Sequence, residues 1–110
     1  MESKLIRIIE GIERDSNKTR EEKDRAISQL AERALKKVKI SSKRDFDWNK
    51  VARDFLDMAT RYFQDAHYFR QKGDIVTAFA ALNYAHGWLD AGARLGLFDV
   101  GGDSKLFTVD

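Results

Sequence analysis

The residues of this chain that could do chemistry are concentrated on one edge of a predicted helix at residues 75–95. Asn83, Asp90 and Arg94 share that edge, and His86 lies about 60° to one side of it on a helical wheel. A histidine and an aspartate one turn apart can share a proton or a ligand, so this edge could form a small polar pocket between helices. The alternative is a structural edge of ion pairs, such as Arg94 with Asp90, that fixes the helix register.

The helix before this one adds two residues to the candidate site. If the chain folds back at Gly73, Arg61 and Tyr62 come close to His86, and Arg61 could also pair with Asp90. We assign no catalytic residue. The candidate ligand-binding residues are Asn83, His86, Asp90, Arg94, Arg61 and Tyr62.

The two histidines suggest a metal site only weakly. His67 and His86 could be grouped with Asp65 and Asp90 as ligands, but metal sites need ligands that converge from matched faces. Asp65 and His67 are two residues apart on a predicted helix and point in different directions. We therefore expect no metal and no other cofactor.

The distribution of charge raises a nucleic-acid hypothesis. The first half of the chain is basic and the second half acidic, although the net charge is only +2. The basic stretch 33–53 could contact phosphates, although solvated helix ends and a loop are the simpler explanation. Arg61 followed by His67 also resembles the loose Arg/His signature of HEPN-type helical ribonucleases, but Tyr62 departs from the polar residue usual after the arginine. The candidate phosphate-binding residues are Lys36, Lys37, Lys39, Lys43 and Arg44.

The composition limits the classes of function. A chain of 110 residues forms one domain, and the absence of cysteine excludes disulfides and thiolate chemistry. No apolar run approaches the roughly 20 residues of a membrane span, and the N-terminus lacks the order of a signal peptide. We therefore expect a cytoplasmic protein without a membrane partner. Its 35% of charged residues and its lack of proline suit a helical protein from a hot environment.

Apolar residues at three- and four-residue spacing predict four helices and a tail. The predicted ranges are 3–14, 20–38, 47–72 and 75–95, with a tail at 97–110. Thr19 and Glu22 match a capping box, and Asp47 can cap the third helix. Gly73 and Asp74 form so short a turn that the last two helices must be antiparallel. The inward stripe of the third helix is predicted to be Trp48, Val51, Ala52, Phe55, Ala59, Tyr62, Ala66 and Phe69.

These elements predict an all-α domain over residues 1–110. Its core, at 20–96, is predicted to be an up-and-down antiparallel three-helix bundle, with a short extra helix at 3–14. The last helix is apolar on most sides and rich in alanine and glycine, so it should pack on both other bundle helices. The isoleucine-rich helix at 3–14 is then left to cover the bundle or to bind a partner, including another copy of the chain. The tail either docks or stays mobile.

Two resemblances support this architecture. Residues 62–100, above all the run YAHGWLDAGARLGLFDV, resemble an archaeal family known as domain-of-unknown-function family 357. This resemblance covers roughly residues 20–100 and implies a three-helix bundle, an archaeal source and no assigned activity. A weaker resemblance, to one tetratricopeptide unit, implies shared hairpin packing only, because the last helix continues past the end of such a repeat and no second copy exists.

The sequence thus favours a non-enzymatic protein-interaction or adaptor module that acts by helix-face docking. One alternative is a protein associated with nucleic acids or nucleotides through the basic stretch 33–53. Another is a small-ligand pocket at His86 and Asp90.

Overall fold

The computed structural model describes residues 4–108 and confirms the all-α class. Its helices are α1 (Lys4–Arg14), α2 (Arg20–Lys37), α3 (Trp48–Gln71) and α4 (Ile75–Leu95), and the described residues contain no strand. They fall into two compact units, each described by itself. One unit, at 4–44, holds α1 and α2, and the other, at 45–108, holds α3, α4 and the tail.

The first unit is a pair of helices joined at a capping box. The hydroxyl of Thr19 accepts a hydrogen bond from the backbone N–H of Glu22, and the Glu22 carboxylate accepts one from the backbone N–H of Thr19. This pairing satisfies two N–H groups that the first turn of α2 cannot bond itself, as the sequence predicts. Ile6 and Ile9 of α1 are buried, whereas α2 has no buried residue.

The second unit is an antiparallel hairpin, and each of its two helices begins at the N-cap residue that the sequence predicts. The carboxylate of Asp47 accepts a hydrogen bond from the N–H of Lys50 at the start of α3, and that of Asp74 accepts one from Thr77 at the start of α4. Gly73 has a φ of 82°, a left-handed conformation that a side chain would strain. The chain therefore reverses within three residues, and α3 and α4 pack along each other.

A few aromatic residues and many alanines form the interface of the hairpin. Phe69 is fully buried, and the ring of Tyr62 lies edge-on to Tyr84 at 4.3 Å between centroids. The other buried apolar residues of this interface are alanines, which let two helix backbones approach closely. They are Ala59, Ala66, Ala78, Ala81, Ala85 and Ala93.

The predicted inward stripe of α3 is wrong at its first member. Trp48 is 53% exposed and contacts Phe46 at 5.5 Å between ring centroids. It occupies the first position of α3, at the open end of the hairpin, where α4 offers no further turn to cover it.

The tail packs on α4. Gly96 ends α4 with a φ of 79°, and the N–H of Leu97 donates to the carbonyl of Gly92 at 2.9 Å. The ring of Phe98 then covers Gly92 so closely that a Cβ there would overlap it. The tail thus docks, which the sequence left open, and Thr108 reaches Asp90.

Candidate functional site

An open groove runs along one side of the α3–α4 hairpin and has a volume of about 680 Å³. Its α3 and α4 residues recur at three- and four-residue spacing, so they form one line on each helix beside the buried interface. We call this surface the hairpin groove. It is lined by Leu56, Ala59, Thr60, Phe63, Gln64, His67, Leu82, Ala85, His86 and Leu89.

The hairpin groove exposes large apolar side chains next to one another. Leu56 is 51% exposed, Phe63 42% and Leu82 43%. Single exposed apolar residues are ordinary, whereas adjacent ones in a concave strip are typical of binding surfaces. Two parallel rows of such residues on neighbouring helices are suited to the apolar face of a third helix.

Among the residues that the structure describes, the lining of the hairpin groove contains no Asp, Glu, Lys or Arg side chain. Asp57 follows the lining residue Leu56 in the chain, but its carboxylate is paired with Arg61. Toward the turn, the apolar surface continues to Arg70 in the last turn of α3. The groove is therefore an apolar surface with two histidines in its lining.

The polar edge of α4 binds the chain's own tail. The Asp90 carboxylate accepts hydrogen bonds from the backbone N–H of Thr108, at 2.6 Å, and from its hydroxyl, at 2.8 Å. These two bonds, the backbone one foremost, lower the pKa of Asp90, and the nearby charges of His86 and Arg94 lower it further. Both oxygens of Asp90 are thus engaged by the tail.

His86 links this edge to the hairpin groove. Its ring stacks on Phe107 with 6.2 Å between centroids and 17° between planes, and it also lines the groove. The docked tail therefore borders the groove on the α4 side. Asn83 and Arg94, the other predicted members of the edge, are exposed.

The structure places the two predicted α3 residues elsewhere. Arg61 forms an ion pair with Asp57 one turn away, at 3.0 Å, rather than with Asp90. Tyr62 is buried against Tyr84. Of the predicted ligand-binding residues, His86 and Asp90 both contact the tail. Arg61 is exposed to solvent, and Tyr62 lies in the hairpin interface.

The structure does not bring together the residues proposed for a metal site or for an Arg/His catalytic pair. His67 lies edge-on against Phe63 in the hairpin groove, at 4.7 Å between centroids, whereas Asp65 is buried. Arg61 and His67 are six residues apart on α3, which puts them about 120° apart around the helix. Among residues 4–108, no three His, Asp or Glu side chains come together as metal ligands would.

The predicted phosphate-binding residues lie on exposed chain. Every residue from 31 to 44 is exposed. Lys36 forms an ion pair with Glu32 one turn away, and Arg44 donates hydrogen bonds to the carbonyls of Ser41 and Lys43. In the part of the chain that the structure describes, no helix is long and apolar enough to cross a membrane.

Sequence reasoning missed the hairpin groove and the tail contact. The groove had a signal, because Leu56 and Phe63 stand seven residues apart and widen the apolar stripe of α3. The contact of Thr108 with Asp90 had none, because it depends on how the chain returns through Gly101 and Gly102, both left-handed.

The fold and this surface define an all-α protein built on a helical hairpin with an apolar groove. The sequence pattern of a family described as protein of unknown function (DUF357) matches residues 28–98, and the chain belongs to this family. The family resemblance seen in the sequence is thereby confirmed. No protein of curated function and no solved structure matches the chain. The matched residues begin inside α2 and include all of α3 and α4.

Proposed function

We propose that this protein is a non-enzymatic interaction or adaptor module that takes an amphipathic helix into the hairpin groove. The observation that carries the proposal is the side-by-side exposure of Leu56, Phe63 and Leu82 in one concave strip. A helix that docks there removes all three from water and presents its own residues at i, i+3, i+4 and i+7 to them. No chemical step is needed for such a role.

The groove is a better docking surface than α1, the candidate that the sequence favours. Ile6 and Ile9 are already buried, so only Ile8, 45% exposed, remains as a large apolar side chain of α1 for a partner. Binding of a partner or of a second copy through α1 is the weaker form of the proposal.

We also propose the finer architecture that the sequence predicts, an up-and-down three-helix bundle of α2, α3 and α4 with α1 as a short extra helix. The family match supports this, because it begins in α2 and ends after α4. The apolar stripe of α2 supports it too, because none of its residues is buried.

A photo-cross-linking residue inside the groove tests the docking proposal. Gln64 is exposed and lines the groove, so Gln64→p-benzoylphenylalanine should give an adduct with a helix, from this chain or another, in a lysate of the native host. Leu95 is the matched control, since it is 59% exposed and lies about 140° around α4 from Leu82. Leu82→Glu should abolish the adduct at position 64. No adduct at position 64, or an equal one at position 95, would exclude the groove.

A second candidate function is association with nucleic acids or nucleotides through the basic stretch 33–53. It is favoured by the full exposure of residues 31–44, which carry most of these charges. Retention on RNA or DNA should fall steeply as salt rises. Charge reversal of Lys36, Lys37, Lys43 and Arg44 should abolish retention, and unchanged retention would remove this candidate.

A small-ligand pocket at His86 and Asp90 is the third candidate. A ligand would have to displace Thr108 from the Asp90 carboxylate. Metals or nucleotides that bind there should raise the melting temperature by mass action, and Asp90→Asn should remove the rise.

We also propose that the protein is cytoplasmic and that its source is an archaeon from a hot environment, because the composition and the family resemblance favour both.

A further inference from the structure

We propose that the edge of α4 formed by His86 and Asp90 is a peptide-binding site, and that the chain's own tail occupies it as a detachable ligand. The site takes a peptide segment in which an aromatic residue is followed by serine or threonine. This inference rests on the third candidate function, the ligand site at the same edge, for which it names the class of ligand. It is independent of helix docking in the hairpin groove.

The docked tail shows which chemical groups the site recognises. The Asp90 carboxylate accepts hydrogen bonds from the backbone N–H of Thr108, at 2.6 Å, and from its hydroxyl, at 2.8 Å. The ring of the preceding residue, Phe107, stacks on His86 with 17° between the planes. The backbone bond is open to any residue except proline, whereas the hydroxyl bond requires serine or threonine and the stack requires a flat ring. The contacts together therefore select an aromatic residue followed by a hydroxyl residue.

The two α4 residues are spaced to receive neighbouring residues of a peptide. His86 and Asp90 are four residues apart, so they share one face of α4 and lie about 6 Å apart along its axis. The hydrogen bonds from Thr108 and, to a smaller extent, the charges of His86 and Arg94 favour the ionised form of the Asp90 carboxylate. Hydrogen bonds to an ionised carboxylate are stronger than those between neutral groups. One turn of α4 thus supplies both contacts of the site.

The part of the tail that fills the site is weakly held. None of residues 97–108 is buried, and Leu106, next to the stacked ring, is 59% exposed. Segments with few buried apolar contacts open at a small cost in free energy. The start of the tail is different, because the ring of Phe98 packs closely on Gly92. Residues 103–108 can therefore leave α4 while Phe98 stays in place.

Residues 103–108 keep their own hydrogen bonds when they leave α4. The Asp103 carboxylate accepts hydrogen bonds from the backbone N–H groups of Lys105 and Leu106, at 2.9 and 3.0 Å. The Asp103 carbonyl accepts one from the N–H of Phe107 at 3.3 Å. None of these bonds involves α4, so the segment moves as one body.

Two glycines form the hinge for this movement. Gly101 and Gly102 have φ angles of 64° and 71°, and a Cβ at either position would have no neighbour within 4 Å. Glycine is the residue with the greatest backbone freedom. Rotation at this pair separates the tail from His86 and Asp90 without disturbing the internal bonds of residues 103–108.

The tail competes with any other peptide for the site. A ligand joined to its site by a short flexible link acts at an effective concentration in the millimolar range. A separate peptide that makes the same contacts must exceed this concentration, or add contacts of its own, before it displaces the tail. The tail therefore sets the affinity that a partner needs.

A peptide titration followed by NMR tests the proposal. The peptide has the sequence of residues 104–108, SKLFT, with both ends blocked, and the protein is the full chain with Phe107→Ser and Thr108→Val, which empty the site. We expect saturable shifts of the amide signals around His86 and Asp90. The wild-type chain, whose tail competes, should bind the peptide about tenfold more weakly. No saturable shift in the double variant, or equal binding by the wild type, would overturn the proposal.

Matched changes in the peptide and in the protein check the contacts. A peptide with alanine for its phenylalanine, or with valine for its threonine, should bind about fivefold more weakly, because each lacks one contact. Asp90→Asn, added to the double variant, should weaken binding about tenfold through loss of the charge. Asp57→Asn is the control, since this carboxylate on α3 is 53% exposed and paired with Arg61, and it should leave binding within about twofold. Equal losses from Asp90→Asn and Asp57→Asn would overturn the assignment of the site.

The outcomes are distinct from those of the other proposals. If the peptide does not bind, the peptide site is wrong, and the melting-temperature screen still decides whether metals or nucleotides bind the same edge. A peptide that shifts the signals of Leu56 and Phe63 instead lies in the hairpin groove, which would also overturn the peptide site. The adduct at position 64 tests the groove alone.

Discussion

Truncation of the groove residues should weaken helix docking according to the surface that each still exposes. We consider Phe63→Ala and Leu82→Ala, whose side chains are 42% and 43% exposed in the hairpin. Complete burial of such a side chain contributes about 1.5–3 kcal/mol. Docking of one helix buries only the remaining two-fifths, so each truncation should weaken docking by about 1 kcal/mol, or roughly fivefold in the dissociation constant.

The assay is the yield of the cross-linked adduct at position 64 in each variant, over a dilution series of the native-host lysate. The double variant should be weaker by about thirtyfold if the two effects add, and by a different factor if the side chains share contacts within the groove. Circular dichroism of each purified variant checks that the hairpin remains helical. Each side chain is already more than half buried, so the truncations also lower the stability of the hairpin by a similar amount.

Leu95→Ala is the control that could refute the reasoning. Leu95 is 59% exposed, more than either groove residue, but it lies outside the groove. If unspecific apolar contact drives adduct formation, Leu95→Ala weakens it most. The docking explanation requires no change for Leu95→Ala, and dissociation constants that follow exposure alone would refute it.

Three other changes follow from single contacts. Because tail hydrogen bonds lower the pKa of Asp90, their contribution is present above the ordinary carboxyl pKa of 3.8 and is lost as the pH falls through the lowered value. The protection of the Thr108 amide against hydrogen exchange, relative to an unstructured peptide at the same pH, should therefore fall in acid, and it should fall at neutral pH in Thr108→Val. Protection that does not change in acid would contradict this. The hydroxyl of Thr77 is fully buried and has no hydrogen-bond partner among the described residues, so Thr77→Val should raise the free energy of unfolding by about 1 kcal/mol in urea titration. Gly73→Ala should lower the free energy of unfolding by about 1 kcal/mol, because alanine is strained in the left-handed backbone conformation of Gly73. Gly87→Ala, in open space within α4, should raise the free energy of unfolding by about 0.5–1 kcal/mol. Changes of the same sign in both variants would contradict these different roles of the two glycines.

Features set by neighbours in the chain could be predicted from the sequence. The capping box at Thr19, the cap at Asp47 and the left-handed turn at Gly73 each involve residues within one helical turn, and the structure confirms all three. The antiparallel hairpin follows from the turn. The buried members of the α3 stripe follow from its periodicity, since one face of a helix must cover its neighbour.

Features set by a choice among distant partners could not be predicted. Arg61 had carboxylates both on its own helix and across the hairpin, and the side chain pairs with Asp57 on its own helix. Asp90 binds Thr108, eighteen residues further along the chain. The energies that separate such partners are small compared with the error of any estimate from spacing alone.

The groove shows why a periodic stripe alone can be misinterpreted. Leu56 and Phe63 extend the apolar stripe of α3 beyond the interface with α4, and a wide stripe has the same sequence pattern whether its outer row is core or surface. Only the packing of α4 shows which row it covers.

The three-residue turn between α3 and α4 also bears on how the hairpin folds. A loop this short costs little closure entropy, so helix pairing can begin beside Gly73 and extend toward the open end, where Phe55 meets Trp88. Substitutions beside the turn should therefore mainly slow folding, whereas substitutions at the open end should mainly speed unfolding.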